Sequence, residues 1–270
     1  MGLGVMTHAG ALRRATLMLT AVVMVSGAAG LLPARAAEEV NIPGQSWSFE
    51  APFGTFDRAQ LQRGYKVYKE VCAACHGIRL LHFRNLGEPG GPGFSEGQVR
   101  ALAAEAQVTD GPDDSGEMFE RPGRPSDRLK SPYPNDEAAR AANGGALPPD
   151  LSVMAKARGG GPDYIYALLI GYRDAPADMQ LAEGMNYNAY FPGHQIAMPP
   201  PLSDGQVEYT DGSPVTVQQY ARDVAAFLMW AAEPKLEERH ELGFRIMIYL
   251  LVLAAFLFLA KRRVWSRLAH

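Results

Sequence analysis

Val71-Cys72-Ala73-Ala74-Cys75-His76-Gly77 decides how the rest of this chain is read. It holds the only two cysteines in 270 residues, three positions apart, with a histidine directly after the second. C-x-x-C-H is the attachment signature of a c-type haem. Positions i and i+3 share one face of a helical turn. Two thiols placed there can each form a thioether with a vinyl group on one side of a porphyrin. The next residue then offers an imidazole nitrogen to the iron, the proximal ligand a haem requires. The competing readings are weaker. A zinc site needs about four ligands, and there is no second cysteine pair. A redox C-x-x-C belongs at a strand-to-helix junction, whereas a helical run precedes this one. The last alternative, a plain disulfide with an incidental histidine, is also weaker than haem attachment.

Upstream, the helical run starts at Asp57, an N-cap residue with Gln60 three positions on. Leu61, Tyr65, Tyr68 and Cys72 recur at helical spacing. The helix is expected to run into the motif and stop near Gly77. Gly64, inside it, reads as a point of close approach for another helix, or as a tolerated surface glycine. Residues 37–56, with Pro43, Pro52 and Gly54, read as an irregular surface segment.

Downstream, residues 87–93 are a loop by composition. Ser95 and Gln98 form a capping box for a helix reaching about Val108, with Val99, Leu102, Ala103 and Ala106 on one face. Thr109 to Asn135 reads as a long excursion rich in proline, glycine and acid. Its Asp110, Asp113, Asp114, Glu117 and Glu120 are either a solvated loop or a docking surface for a basic partner. Asn135 to Asn143 is a short helix ended by Gly144-Gly145. Pro148-Pro149 is a stiff, donor-free backbone that can lie flat on a macrocycle. Asp150 or Ser152 is expected to start a helix ending near Arg158, and Asp163 to cap the next, which carries Ile165, Leu168, Leu169 and Tyr172. Residues 184–202 are irregular and aromatic. Val207-Glu208-Tyr209 and Pro214-Val215 flank Thr210-Asp211-Gly212-Ser213, a hairpin signal. Thr216 and Gln219 cap an amphipathic helix from Val217 to Trp230, which Pro234 ends or bends.

The two ends of the chain differ from its middle. Arg13 and Arg14, the apolar run Ala15 to Leu32 and Ala34-Arg35-Ala36 read as a cleaved secretory signal over residues 1–36. Export agrees with haem attachment, which takes place outside the bacterial cytoplasmic membrane. Leu242 to Ala260 is 19 residues long with Arg245 as its one charge, close to the ~20 needed to span hydrocarbon. Arg245 lies one turn inside and can snorkel outward. Lys261-Arg262-Arg263 follows, with Trp265 as an interface anchor, and acids dominate the other flank. The positive-inside rule therefore puts the C-terminus in the cytoplasm. The expected order is a haem domain over 37–232, a linker over 233–242, a membrane helix over 243–260 and a tail over 261–270. The ends hold eight of the 26 basic residues and none of the acids, which leaves 18 basic residues against 29 acidic ones between them. A domain near −11 repels nucleic acid and attracts a cationic partner.

The sixth iron position has several candidates: Met118, Met154, Met179, Met185, Met198 and Met229, and the imidazoles of His82, His194 and His240. Met198 leads because three prolines follow it, and a ligand on a restricted loop holds its geometry through a change of oxidation state. His194 comes second. His82, six residues past His76, is too close to reach the opposite haem face.

Beyond C-x-x-C-H, the chain carries Tyr133-Pro134-Asn135 with Glu137-Ala138-Ala139-Arg140-Ala141-Ala142-Asn143, and then Gly145-Ala146-Leu147-Pro148-Pro149-Asp150-Leu151-Ser152. Tyr187-Asn188-Ala189-Tyr190-Phe191-Pro192-Gly193 and Trp230-Ala231-Ala232-Glu233-Pro234 follow, with the single C-terminal anchor. Over almost all the mature chain it resembles the cytochrome c1 family, the haem subunit of cytochrome bc1 (quinol:cytochrome c oxidoreductase) complexes, in a bacterial form. The resemblance implies a mainly α, cytochrome c-like haem domain with long irregular loops, a small β-hairpin and one C-terminal transmembrane helix. It implies one haem c bound through Cys72 and Cys75, with His76 and Met198 as axial ligands and Arg158 at a propionate. Asn143, Pro148, Pro149, Tyr164 and Phe191 would line the pocket.

The implied activity is one-electron relay from a Rieske iron–sulfur protein to a soluble basic c-type cytochrome. The setting is a dimeric complex with cytochrome b, in the inner membrane, with the haem domain in the periplasm. No substrate bond changes on this subunit. Ala189 stands where the family more often has proline, and Pro199 where alanine is common. Some bacterial relatives carry a further cysteine pair across the haem-cleft loops, which this chain lacks. Two other functions fit the motif alone: a haem sensor or peroxidase with an open sixth site, and a free-standing tethered shuttle.

Overall fold

A computed structural model describes residues 40–267; the expected secretory signal over 1–36 lies outside them. Helix α1 spans Arg58–Glu70, with Asp57 accepting a hydrogen bond from the Gln60 amide at 3.2 Å. Its buried face is Leu61, Gly64, Tyr65, Val67 and Tyr68. After the helices α2 (Glu96–Ala104), α3 (Asp136–Ala142), α4 (Met154–Ala157) and α5 (Gly161–Ile170) comes α6, Val217–Ala232. The packing of α1 on α6 is the centre of the core, which includes Tyr220, Val224, Phe227 and Trp230. Gly64 is the crossing point. A Cβ there would lie 2.7 Å from the Phe227 Cβ and would overlap the Asp223 carbonyl oxygen. Glycine is therefore required because another helix backbone occupies the space, as the close-approach reading expects.

Four helix starts follow their sequence signals. Ser95 and Gln98 complete both halves of a capping box. Asn135 accepts from the Ala138 amide at 2.8 Å, and Thr216 from the Gln219 amide at 3.3 Å. Asp57 makes the fourth. Two other expected caps have different work. Asp163 sits inside the first turn of α5, whose N-cap is Gly160 at φ 82°. Its carboxylate instead receives the Gln45 amide and the Trp47 indole N–H, at 3.1 and 2.6 Å. It thereby pins the irregular N-terminal segment, which buries Trp47, Phe49 and Phe56. Asp150 and Ser152 precede Val153, the N-cap of α4. They serve the loop after the haem motif instead.

The strands are short and fall in two antiparallel pairs: β1 (Gln107–Asp110) with β2 (Phe119–Pro122), and β3 (Asn186–Tyr187) with β4 (Gln195–Ile196). The first pair takes the last two residues of the expected helix and part of the stretch expected to be loop, and α2 ends four residues before the expected Val108. The hairpin expected at 207–215 does not form; one side chain of α6 takes up the backbone groups of Val207. The Tyr220 hydroxyl accepts from the Val207 amide at 3.1 Å and donates to the Val207 carbonyl at 2.5 Å.

The last helix, α7, runs from Leu236 to Trp265, 30 residues. At 1.5 Å per residue it is about 45 Å long, enough by length and composition to cross a membrane. Its side chains from Ile246 to Trp265 are exposed, most of them large and apolar. The segment expected as a linker is mostly helix: only residues 233–235 separate α6 from α7. The first turns of α7 dock on the domain. Glu237 accepts the Phe56 amide and the Arg58 guanidinium at 2.7 and 2.6 Å, and Phe244 meets Phe53 edge-on at 5.1 Å.

Candidate functional site

Helix α1 ends at Glu70, earlier than expected, and the motif turns through a 3₁₀ segment, Cys72–Ala74. The Cys75 and His76 amides both donate to the Cys72 carbonyl, at 3.1 and 2.8 Å. In a 3₁₀ turn residues i and i+3 eclipse, so the two cysteines stand side by side even more directly than on an α-helix. Cys72 is half-buried, Cys75 is exposed, and neither is in a disulfide. Burial pushes the Cys72 thiol up to about 12, so the free group is neutral.

His76 Nδ1 lies 2.8 Å from the Pro149 carbonyl oxygen. A carbonyl can only accept, so Nδ1 carries the proton and the Nε2 lone pair is left for a metal. Burial lowers the His76 pKa, against the raising effects of Pro149 and Asp150, and so favours the neutral ligating form. The Pro148-Pro149 backbone is held against the motif by three further bonds. The Leu151 amide donates to the Gly77 carbonyl at 2.8 Å, the Arg79 amide to Asp150 at 3.0 Å and the Leu80 amide to the Ser152 hydroxyl at 3.1 Å. Gly77 leaves little room between them: a Cβ would lie 3.2 Å from Ser131 Oγ. From the other side, the Tyr68 hydroxyl donates to the His76 carbonyl at 3.2 Å.

The other expected residues fall into separate local groups. Arg158 closes α4, and its charge works against the burial that raises the Tyr164 phenol on α5, so these two stand near each other. Asn143 caps the end of α3, donating to the Ala139 carbonyl and the Tyr133 hydroxyl at 2.7 and 3.1 Å. Phe191 is half-buried in the loop between β3 and β4. Met198, also half-buried, follows β4; its carbonyl accepts from the Tyr172 hydroxyl at 3.0 Å and from Asn186 Nδ2 at 3.4 Å. His194, the second candidate for the sixth position, engages its own loop. Its φ is 59°, its Nδ1 lies 3.2 Å from the Asn188 carbonyl oxygen, and its ring stacks on Tyr187. The residues that the sequence does not point to are Tyr68, Tyr172 and Asn186, together with the role of the Pro149 carbonyl. Each acts on or through a backbone carbonyl, which no side-chain pattern marks.

The donor set suits a haem c. Two thiols share one turn, a neutral imidazole is oriented by a backbone acceptor, and a donor-free diproline lies beside it. This combination on a mainly helical domain defines a c-type cytochrome, here joined to one long apolar helix. The cytochrome C1 family matches residues 47–268, and the chain belongs to that family. It is 47% identical over 247 residues to the cytochrome c1 of Rhodospirillum rubrum, covering 86% of this chain and 90% of that one. It is 48% identical over 247 residues to a mitochondrial cytochrome c1 heme protein of Solanum tuberosum, covering 90% and 94%. A cytochrome b/c1 of Bradyrhizobium diazoefficiens is 53% identical over 243 residues, which span 83% of this chain but 35% of that longer protein.

Proposed function

We propose that this chain is the electron-relaying haem subunit of a bacterial cytochrome bc1 complex, taking an electron from a Rieske iron–sulfur protein and passing it to a soluble, basic c-type cytochrome. Cys72 and Cys75 would hold the haem c covalently, with His76 Nε2 and the Met198 sulfur on the iron. Bound there, the haem supplies a one-electron couple and no bond to a substrate changes. With His76 and Met198 both on the iron, oxygen would be excluded, and a thioether would raise the potential relative to a second imidazole. The observation that carries the reading is the His76 Nδ1–Pro149 hydrogen bond in a member of this family. It fixes which nitrogen faces the metal and raises the ligand's basicity.

Arg158 would offset propionate charge and draw the potential up, with Tyr164 near it. Asn143, Pro148, Pro149 and Phe191 would line the pocket. The longer b/c1 relative joins its two names in one protein, which supports cytochrome b as a partner. The acidic flank before α7 and the Lys261-Arg262-Arg263 run after it support a periplasmic haem domain and a cytoplasmic C-terminus in the inner membrane. The docked start of α7 argues against a free-standing shuttle, which needs a flexible tether.

Optical spectra test the reading. The oxidised full chain should show the weak far-red band of methionine on ferric haem, and Met198→Leu should lose it. Carbon monoxide binding to the reduced wild type at neutral pH would favour the open-site sensor or peroxidase instead. Pigment released into acid–acetone would overturn covalent attachment.

A further inference from the structure

The segment that carries Met198 has an anchoring problem. Pro199-Pro200-Pro201 follow it and offer no backbone N–H. Ladder bonds hold the chain before Met198 through β4, but the proline side can be tied down only through carbonyl acceptors. The Met198 carbonyl is one such acceptor, and the Tyr172 hydroxyl reaches it at 3.0 Å, seconded by Asn186 at 3.4 Å.

Tyr172 is itself immobilised. It follows α5 by two residues and pairs with Asn188 in an isolated antiparallel bridge. Asn188 is wholly buried; its Nδ2 donates to the Leu168 carbonyl at 2.8 Å and its Oδ1 accepts the Tyr190 amide at 3.0 Å. The Ala189 amide donates to the Gly171 carbonyl at 3.0 Å. Gly171 has no room for a side chain, since a Cβ would lie 2.7 Å from both Asn188 Oδ1 and Tyr190 Cδ2. A continuous rigid path thus runs from α5 to the carbonyl of Met198.

The geometry points to Tyr172, with Asn186 behind it, as the positioning residue that holds the sixth-ligand segment closed against exchange with outside ligands. This rests on the reading that Met198 is the axial ligand. The methionine side chain can swing its sulfur away by rotation alone, but an outside ligand gains room to replace it when the 197–199 backbone also moves out, and the hydroxyl bond opposes that movement. Losing one neutral hydrogen bond shifts a local opening equilibrium by roughly fivefold.

The test is imidazole titration of the oxidised full chain in detergent, read optically. Tyr172→Phe keeps the ring and loses the hydroxyl; it should bind imidazole roughly fivefold more tightly than wild type. Asn186→Ala, which loses the longer bond, should shift affinity in the same direction by roughly twofold. Tyr209→Phe is the control. It removes a hydroxyl bonded to Asp223, and should lower the denaturation midpoint without changing imidazole affinity. Wild-type affinity in Tyr172→Phe overturns the proposal, as does an equal shift in Tyr209→Phe, which would mean that imidazole reads global stability. If Tyr172→Phe does not accumulate, an unchanged affinity in Asn186→Ala overturns it. Met198→Leu separates the two readings: a far-red band surviving there defeats the ligand assignment, whereas its loss there with no effect at Tyr172 defeats the clamp alone.

Discussion

Asp223 has no access to solvent, and its two carboxylate oxygens collect four donors: Arg63 Nε and Nη2, Tyr209 Oη and Gln219 Nε2, at 2.9, 3.3, 2.9 and 2.9 Å. Removing one partner of a buried charge pair leaves the other uncompensated, at a cost of about 3–5 kcal/mol. Arg63 keeps Asp211 as a second partner at 2.8 Å, so Asp223→Ala should lower the guanidinium unfolding free energy by up to that much, while Asp223→Asn, which keeps an acceptor, should lose less. The cost would be absent if Arg63 reached water on its own, and equal midpoints for Asp223→Ala and wild type would show it. Residue-scale chemistry is legible in sequence when a side chain states it. Cys72, Cys75 and His76 name their cofactor by type and spacing alone. The Pro149 carbonyl that orients His76 is invisible at that level, because any residue has a carbonyl. Asp223 on an amphipathic helix is likewise silent, since its partners come from 14 to 160 positions away, apart from Gln219 one turn back.

At the scale of elements, four of the expected caps and the Gly64 crossing were readable and strand pairing was not. Asp57→Ala removes one accepted bond at an exposed helix start and should cost about 1 kcal/mol. Gly64→Ala, a change of one methyl group, should cost at least about 3 kcal/mol, because the obstacle is the backbone of α6 and cannot rotate away. Denaturant midpoints of the two variants rank these effects directly, and a reversed order would mean that α1 and α6 separate freely. The hairpins failed as sequence signals for a different reason. At 207–215 the Asp-Gly turn signal is present, but Asp211 answers Arg63 and Ser213 while Tyr220 answers Val207, and Val215 accepts from Gly205 rather than from an opposing strand. At 107–122 the strands lack a hydrophobic alternation, and charge ties them instead: Arg121 bridges Asp110 and Asp127. The Arg121 guanidinium and the Arg124 amide hold the Asp127 carboxyl to about 2, and Arg121 also lowers Asp110. A depressed folded-state pKa stabilises above the unfolded value, about 3.9, and that contribution is lost as pH falls towards 2. The melting temperature of wild type should therefore exceed that of Arg121→Met at pH 5, and the gap should narrow as pH falls from about 4 through about 2. A gap as wide at pH 2 as at pH 5 would mean that Arg121 acts by packing alone.

At the scale of the whole molecule, the proposed docking to a basic partner can be located on the domain surface. The tip of the β1–β2 hairpin exposes Asp113, Asp114 and Glu117 beside Met118 and Phe119, an apolar patch rimmed with acid. Asp113 is bound up with the turn amides and the Ser115 hydroxyl, whereas the side chains of Asp114 and Glu117 face solvent. Two unit charges about 10 Å apart in water interact by roughly 0.4 kcal/mol, about twofold in rate for each charge. Neutralising both with Asp114→Asn and Glu117→Gln should then slow reduction of a basic c-type cytochrome roughly fourfold at low ionic strength. Near 0.1 M salt the Debye length falls to about 10 Å, and the difference should shrink to within twofold. Stopped-flow rates across a salt series measure both limbs on one preparation. Equal salt slopes for wild type and the double variant would place the docking face elsewhere on the domain and leave the hairpin tip a solvated loop.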